Sequence, residues 1–265
     1  MCRMLLFTGN NENMFHSFLK SLREVSRDDP LHDLQHKQFL DHKDGWGYVD
    51  SGTRFLRFEK FLDPIFQYEQ DNFGGDLRMI HARNASEGEP LTLASTHPFH
   101  LPLDDCDVYL AHNGWIDKSK LTAQFSREFM ETRSDSEIFL NMLGKFPGTP
   151  LDKLRAAIEE VYSTDSLKSG LNILFIAINR KTQSREIYVY SDARNFDLYH
   201  RLYLIKGDMC SAVVSSSLLR AKDFPSGVEK TPLSPGTVYS IGEGSCVAIE
   251  RIPGCRTVES KEPIL

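Results

Sequence analysis

The chain is poor in the features that staple, anchor or charge-steer a protein. Among its 265 residues there are five cysteines, Cys2, Cys106, Cys210, Cys246 and Cys255, and no two stand in a CxxC pair. That excludes a disulfide framework and a cysteine zinc site. Cys106, Cys210 and Cys246 read as small apolar residues in or near strands. Basic residues form no long block, and 31 of them against 37 acidic ones leave a net charge of −6. No nucleic-acid partner is expected from such a balance. No apolar run approaches a membrane span. The opening MCRMLLFTGN is too short in its apolar part for a secretory segment, so a cytoplasmic setting and no membrane partner are expected. His81, His97, His100 and His112 fall on separate elements without HExxH-type spacing, so no metal is expected. Repeats, low-complexity tracts and linkers are missing too, which leaves residues 1–265 as a single domain.

What remains is the balance of an ordinary globular protein, 40% hydrophobic and 26% charged, long enough to bury a substantial core. Residues 3–9 read as an apolar strand stopped by Gly9-Asn10. Phe15, Phe18, Leu19 and Leu22 follow at helical spacing, with Asn13 as the N-cap. Residues 46–50 and 54–58 form a hairpin turning at Ser51-Gly52. Residues 77–82 and 108–111 are short buried strands, each leading into a polar loop. Helical spacing returns after Ser134, which has capping-box spacing to Glu137, and again over 151–162. From Gly170 onward strands dominate, at 171–178, 186–190, 202–205, 212–215, 237–241 and 246–252. The tail from Pro253 lacks periodicity and is expected on the surface. This order predicts an α+β fold in which two antiparallel sheets pack together, each covered by helices on its other face, an αββα sandwich.

Chemistry concentrates in a few short segments. Removal of Met1 makes Cys2 the N-terminus, with a thiol and a free α-amine on one residue. An α-amine with a pKa of about 7.7–8.0 can take the thiol's proton near neutrality, the N-terminal nucleophile arrangement. Arg83, at the end of a strand, is either a surface ion-pair partner or a planar fork for a carboxylate. His97 precedes a proline and is held extended, where its ring can brace a loop. Asn113-Gly114 is either a turn dipeptide or a pair of donors aimed at an oxyanion. Asp135 either belongs to a helix start or receives an ammonium. Asp44-Gly45-Trp46-Gly47 is either a turn entering a strand or a place of close backbone approach.

Met-Cys, DGWG, HARNASEG, THPF, HNG and SDSE occur in that order within roughly residues 1–145. Together they resemble the class II glutamine amidotransferases, the glutaminase domains of the N-terminal nucleophile hydrolase superfamily. The resemblance implies that Cys2 is the nucleophile and its amine the base. It implies that Asn113 and Gly114 form the oxyanion hole, that Arg83 holds the α-carboxylate of glutamine or a γ-glutamyl compound, and that Asp135 holds its α-ammonium. Ser86 corresponds to a residue lining the glutamyl pocket. Asn84 and Glu87 depart from the bulkier or basic residues common in relatives, which bears on the pocket rim. The resemblance calls for no cofactor. Because the chain ends at Leu265, it implies the stand-alone branch. There a glutaminase would feed a separate ammonia-using synthase subunit, or a hydrolase would cleave a larger γ-glutamyl amide. The alternative is a catalytically silent regulatory or scaffold protein that keeps the pocket and retains Met1.

Overall fold

A computed structural model of the protein describes residues 2–35, 40–51, 55–58, 74–85, 89–121, 125–194, 198–242 and 245–254. The strands form two antiparallel sheets. The first has seven strands in the order β11-β9-β10-β1-β4-β2-β3, and the second six in the order β13-β12-β8-β7-β6-β5. In chain order the strands are β1 (Arg3–Gly9), β2 (Trp46–Asp50), β3 (Phe55–Phe58), β4 (Leu77–Ala82), β5 (Phe99–Leu103), β6 (Cys106–Ile116) and β7 (Leu167–Asn179). They continue as β8 (Arg185–Ser191), β9 (Leu202–Gly207), β10 (Cys210–Ser215), β11 (Glu229–Pro232), β12 (Thr237–Gly242) and β13 (Ser245–Arg251). The α-helices are α1 (Glu12–Arg27), α2 (Arg127–Thr132), α3 (Asp135–Met142) and α4 (Pro150–Ser163).

Three apolar layers follow from strand periodicity. Along β1 every residue is buried, because both faces of this central strand are covered. Leu5 and Phe7 point to one side and join Phe15, Phe18, Leu19 and Leu22 of α1. Met4 and Leu6 point to the other and meet Ala111, Leu174, Ile176 and Val189 of the second sheet. The outer face of that second sheet, through Val108, Leu110, Ile173 and Phe175, packs on Ile138 and Phe139 of α3 and Leu154 and Ile158 of α4. The order of layers is helix, sheet, sheet, helix, the αββα sandwich expected from the sequence. Each large side chain buried in these layers contributes about 1.5–3 kcal/mol relative to exposure.

Local details differ from expectation. Helix α1 is capped by Asn11, not Asn13; the Asn11 side chain accepts from the Met14 N–H at 3.1 Å. Ser134 does cap α3, accepting from the Glu137 N–H at 3.2 Å. Glu137 does not return the bond, since its carboxylate takes Arg133 at 2.6 Å instead. The β2–β3 hairpin pairs Val49 with Phe55, while Gly52 lies outside the described residues, as does most of the tail after Pro253. The largest revision concerns Asn113-Gly114, which sits inside β6 and not at a turn. Asn113 pairs with Asn172 and Gly114 with Leu171, and the register shifts only after Gly114. Cys106, Cys210 and Cys246 lie on strands, and burial is the first cause raising all three thiols above their ordinary pKa. Among the described residues no helix is long and apolar enough to cross a membrane.

Candidate active site

The site begins where β1 starts. Arg3 pairs with Ala82 on the neighbouring strand β4. One more step in the antiparallel register sets Cys2 beside the chain leaving β4 at Arg83. The Cys2 thiol lies 3.5 Å from the Asn84 carbonyl oxygen. The Cys2 backbone nitrogen donates to Asn113 Oδ1 at 2.8 Å, which joins the first sheet to the second. Cys2 is buried, at 7% exposure.

Two segments hold the loop after β4. The Asp44 N–H donates to the Arg83 carbonyl at 3.0 Å, and the Arg83 N–H donates to the Gly45 carbonyl at 2.8 Å. Gly45 has φ of 130°, a conformation that favours glycine. Asp44 Oδ2 accepts from the Ala85 N–H at 2.8 Å, and the Asn84 side chain donates to the Asp41 carbonyl at 2.7 Å. The DGWG segment is therefore the brace of the HARNA segment. Held in this way, the Arg83 side chain is 3% exposed, and its Nη1 has no hydrogen-bond partner among the described residues. A buried guanidinium nitrogen without an acceptor is costly, and a ligand carboxylate would relieve that cost.

Asn113 and Gly114 come from the far end of β6. Gly114 is required by close approach: a β-carbon there would stand 1.6 Å from the Gly170 carbonyl oxygen on β7. Two residues on, the Ile116 N–H donates to Asp135 Oδ2 at 2.8 Å. Asp135 Oδ1 accepts from the Ser136 N–H at 2.7 Å and from its hydroxyl at 3.1 Å. Asp135 is thus brought to the Asn113–Gly114 strand, but both its oxygens already accept bonds within the protein. Ser86 lies outside the described residues.

Behind these groups lies a set of buried histidines. His112 Nδ1 meets the Ser136 hydroxyl at 2.8 Å, and His81 Nε2 meets the His112 carbonyl at 3.2 Å. The His81 and His97 rings are 4.1 Å apart, and His97 packs edge-on against Phe99 at 4.5 Å. Neither His97 nitrogen has a hydrogen-bond partner among the described residues, so this ring fills space and does not brace the loop by bonding. Burial is the first cause holding His81, His97 and His112 below the ordinary histidine pKa. The described residues contain no group of three or more His, Cys, Asp and Glu side chains able to hold a metal ion.

Sequence reasoning missed a second buried network on the other flank of Cys2. Asp29 Oδ2 accepts from Arg3 Nε, and it also meets His42 Nε2 and the Ser217 hydroxyl, each at 2.9 Å. Arg3 Nη1 donates to the Cys2 carbonyl at 3.2 Å, and the guanidinium stacks 3.8 Å over the Tyr199 ring. The available signal was a charged residue at the head of an otherwise apolar strand. His42 is lowered to about 4, with burial the first cause.

These histidines make the fold acid-sensitive. An unfolded chain takes protons on them below about pH 6.5, whereas the folded chain refuses those protons. Stability present at neutral pH is therefore lost as pH falls through 6.5 toward the folded values. Each histidine costs up to about 1.4 kcal/mol per pH unit in that window. Glu89 and Glu137, whose carboxyls are raised by burial, push weakly the other way. Denaturant melts at pH 7, 6 and 5 should show the midpoint falling steadily. A midpoint unchanged between pH 7 and 5 would contradict the buried neutral cluster.

No protein-family model matches the chain, and comparison with curated proteins found no match. Solved structures do resemble it. The structure described as the allosteric regulatory enzyme of purine biosynthesis superposes with a TM-score of 0.64 at 17% identity, over 95% of this chain and 49% of that one. The present chain thus spans about half the length of that protein. A predicted glutamine amidotransferase from Pseudomonas aeruginosa PA01 has a TM-score of 0.48 at 17% identity, over 94% of this chain and 96% of that one. At such identities the likeness is one of fold. The first of these shares the four-layer αββα architecture described above, and the likeness extends no further than that.

Proposed function

We propose that the mature protein hydrolyses the γ-amide of glutamine or of a γ-glutamyl compound through a thioester on Cys2. Fold alone does not carry this reading. The observation that carries it is the meeting of Cys2 with Asn113 and with the loop of Arg83, whose buried Nη1 lacks an acceptor among the described residues. In this reading Met1 is removed and the Cys2 amine takes the thiol proton. The thiolate attacks the γ-carbonyl carbon, a C–S bond forms, and the carbonyl π pair moves onto oxygen. Asn113 Nδ2 and the Gly114 N–H face that oxyanion, each donor worth about 2.7–4 kcal/mol. As the C=O bond re-forms, the C–N bond breaks and the departing nitrogen takes the proton held by the amine. Water then attacks the thioester, releasing glutamate and restoring the thiol. Arg83 holds the α-carboxylate and Asp135 lends negative charge near the α-ammonium, which keeps the reacting carbon at the sulfur.

Glutamate release from a panel of glutamine, γ-glutamyl peptides and γ-glutamyl amines tests the reading and sorts glutaminase from γ-glutamyl hydrolase. Intact mass of the native protein must show loss of Met1. Retained Met1 turns the base into an amide and favours the silent scaffold. Arg83→Lys should raise KM by about 10- to 100-fold with a smaller change in kcat, because one ammonium cannot make the two-pronged contact. An unchanged KM would remove Arg83 from the substrate.

A further inference from the structure

The end of β6 that carries Asn113 and Gly114 is set by a bulge. Gly114 pairs with Leu171 and Ile116 with Leu167, so residues 168, 169 and 170 of β7 oppose Trp115 alone. Bulges bend a strand, re-aim its groups and gather beside active sites. Gly170, at the Gly114 end of this one, forms an isolated bridge to Ala193 on its other side. Its carbonyl oxygen would stand 1.6 Å from a β-carbon at Gly114, and His112 Nε2 would stand 2.8 Å from the same β-carbon. Glycine, carbonyl and imidazole therefore meet at one point, in a part of the fold where His112 and Ser136 are both buried.

The neighbours of the ring decide which of its nitrogens carries the proton. His112 Nε2 lies 3.4 Å from the Gly170 carbonyl oxygen, which can only accept, so Nε2 is the donor. A neutral ring then accepts at Nδ1, and the Ser136 hydroxyl is there at 2.8 Å. That hydroxyl has one proton for two acceptors, His112 Nδ1 at 2.8 Å and Asp135 Oδ1 at 3.1 Å. The His112 bond is the shorter, and Asp135 Oδ1 keeps the Ser136 N–H at 2.7 Å in either case. We infer that Ser136 and His112 are positioning residues for the oxyanion donor. The hydroxyl fixes the ring in its Nε2–H form, and the ring holds the Gly170 carbonyl against Gly114, which sets where the Gly114 N–H points. This rests on the γ-amide hydrolysis reading and extends it to residues that do not meet the substrate.

The test measures kcat and KM of the mature protein on the γ-glutamyl compound that the wild type hydrolyses best. Ser136→Ala should lower kcat about 10- to 100-fold and leave KM within about twofold, as for a contact made only in the transition state. If the hydroxyl served Asp135 instead, KM would rise with kcat unchanged, and that result overturns the assignment. His112→Gln keeps a donor near the Nε2 position, whereas His112→Asn keeps a polar atom only near Nδ1. The glutamine variant should therefore exceed the asparagine variant in kcat by about tenfold, and equal values overturn the assignment. Adding Ser136→Ala to His112→Asn should cost little further, because the hydroxyl acts through the ring; losses that simply add overturn it too. Denaturant midpoints taken alongside show that each variant is folded. Should Ser136→Ala fail to fold, the comparison of glutamine with asparagine at position 112 decides. A wild type that releases glutamate from no γ-glutamyl compound sinks the parent reading. An active wild type whose kcat survives Ser136→Ala sinks the positioning inference alone.

Discussion

Cys2→Ala protein should fold, bind glutamine and turn over almost nothing. Loss of an attacking side chain from a group that acts as a unit costs on the order of 10⁴- to 10⁶-fold in kcat. The sulfur contributes little to the fold beyond its weak contact with the Asn84 carbonyl, so the stability change should stay within about 1 kcal/mol. Head-group binding should persist, because Arg83 is held by backbone bonds to Asp44 and Gly45 that do not involve the thiol. Calorimetric titration of the variant with glutamine checks that half. Cys210→Ala is the control. Cys210 is buried against Met14 on the helix side of the first sheet, and its loss should leave kcat unchanged. If Cys2→Ala released glutamate at the native rate, no thioester on this residue could be part of the reaction.

The sandwich was legible because central strands buried on two faces read as continuous apolar runs, as in Leu5, Leu6 and Phe7. Both strands that went unseen, β5 and β11, are edge strands containing a proline, Pro102 and Pro232. Edge positions tolerate proline and demand little apolar patterning, so neither left a strand signal. Asn113-Gly114 was ambiguous for a local reason. The dipeptide suits a tight turn, but the second sheet continues through it, and its glycine answers to the Gly170 carbonyl of the next strand. Cys2, Arg83, Asn113 and Asp135 could be named because short motifs mark them. The Arg3–Asp29–His42–Ser217 network could not. Its Ser217–Asp29 bond alone joins residues 188 positions apart, and nothing local distinguishes Asp29 from the acidic residue beside it, Asp28, whose side chain is 55% exposed.

That network supports the second large effect. Asp29→Ala should destabilise the protein by about 3–5 kcal/mol, because it leaves the Arg3 charge buried without its partner. Both side chains are fully buried, and Asp29 also accepts from the Leu31 N–H at 2.9 Å. The loss is a large part of a typical total stability of about 5–15 kcal/mol. It should appear as a lower denaturant midpoint at an unchanged slope. Despite burial, which opposes it, the Arg3 charge and the bonds from His42 and Arg3 hold the Asp29 carboxyl below the usual carboxylate range. Its stabilisation is therefore present above the unfolded carboxylate value, near pH 4, and is lost as pH falls below it. Replacing both partners, as Arg3→Met with Asp29→Leu, should recover part of the stability: the stranded charge is gone, but the His42 ring, the Ser217 hydroxyl and the Leu31 N–H lose their acceptor. The double variant should not recover the rate, because Arg3 Nη1 no longer holds the Cys2 carbonyl. Stability partly restored with kcat still depressed would make Arg3 a positioning residue for Cys2, whereas return of kcat as well would confine the network to the fold. A cost below about 1 kcal/mol for Asp29→Ala would mean that the Arg3 charge finds water or another partner, and the buried ion pair would lose its place in holding β1.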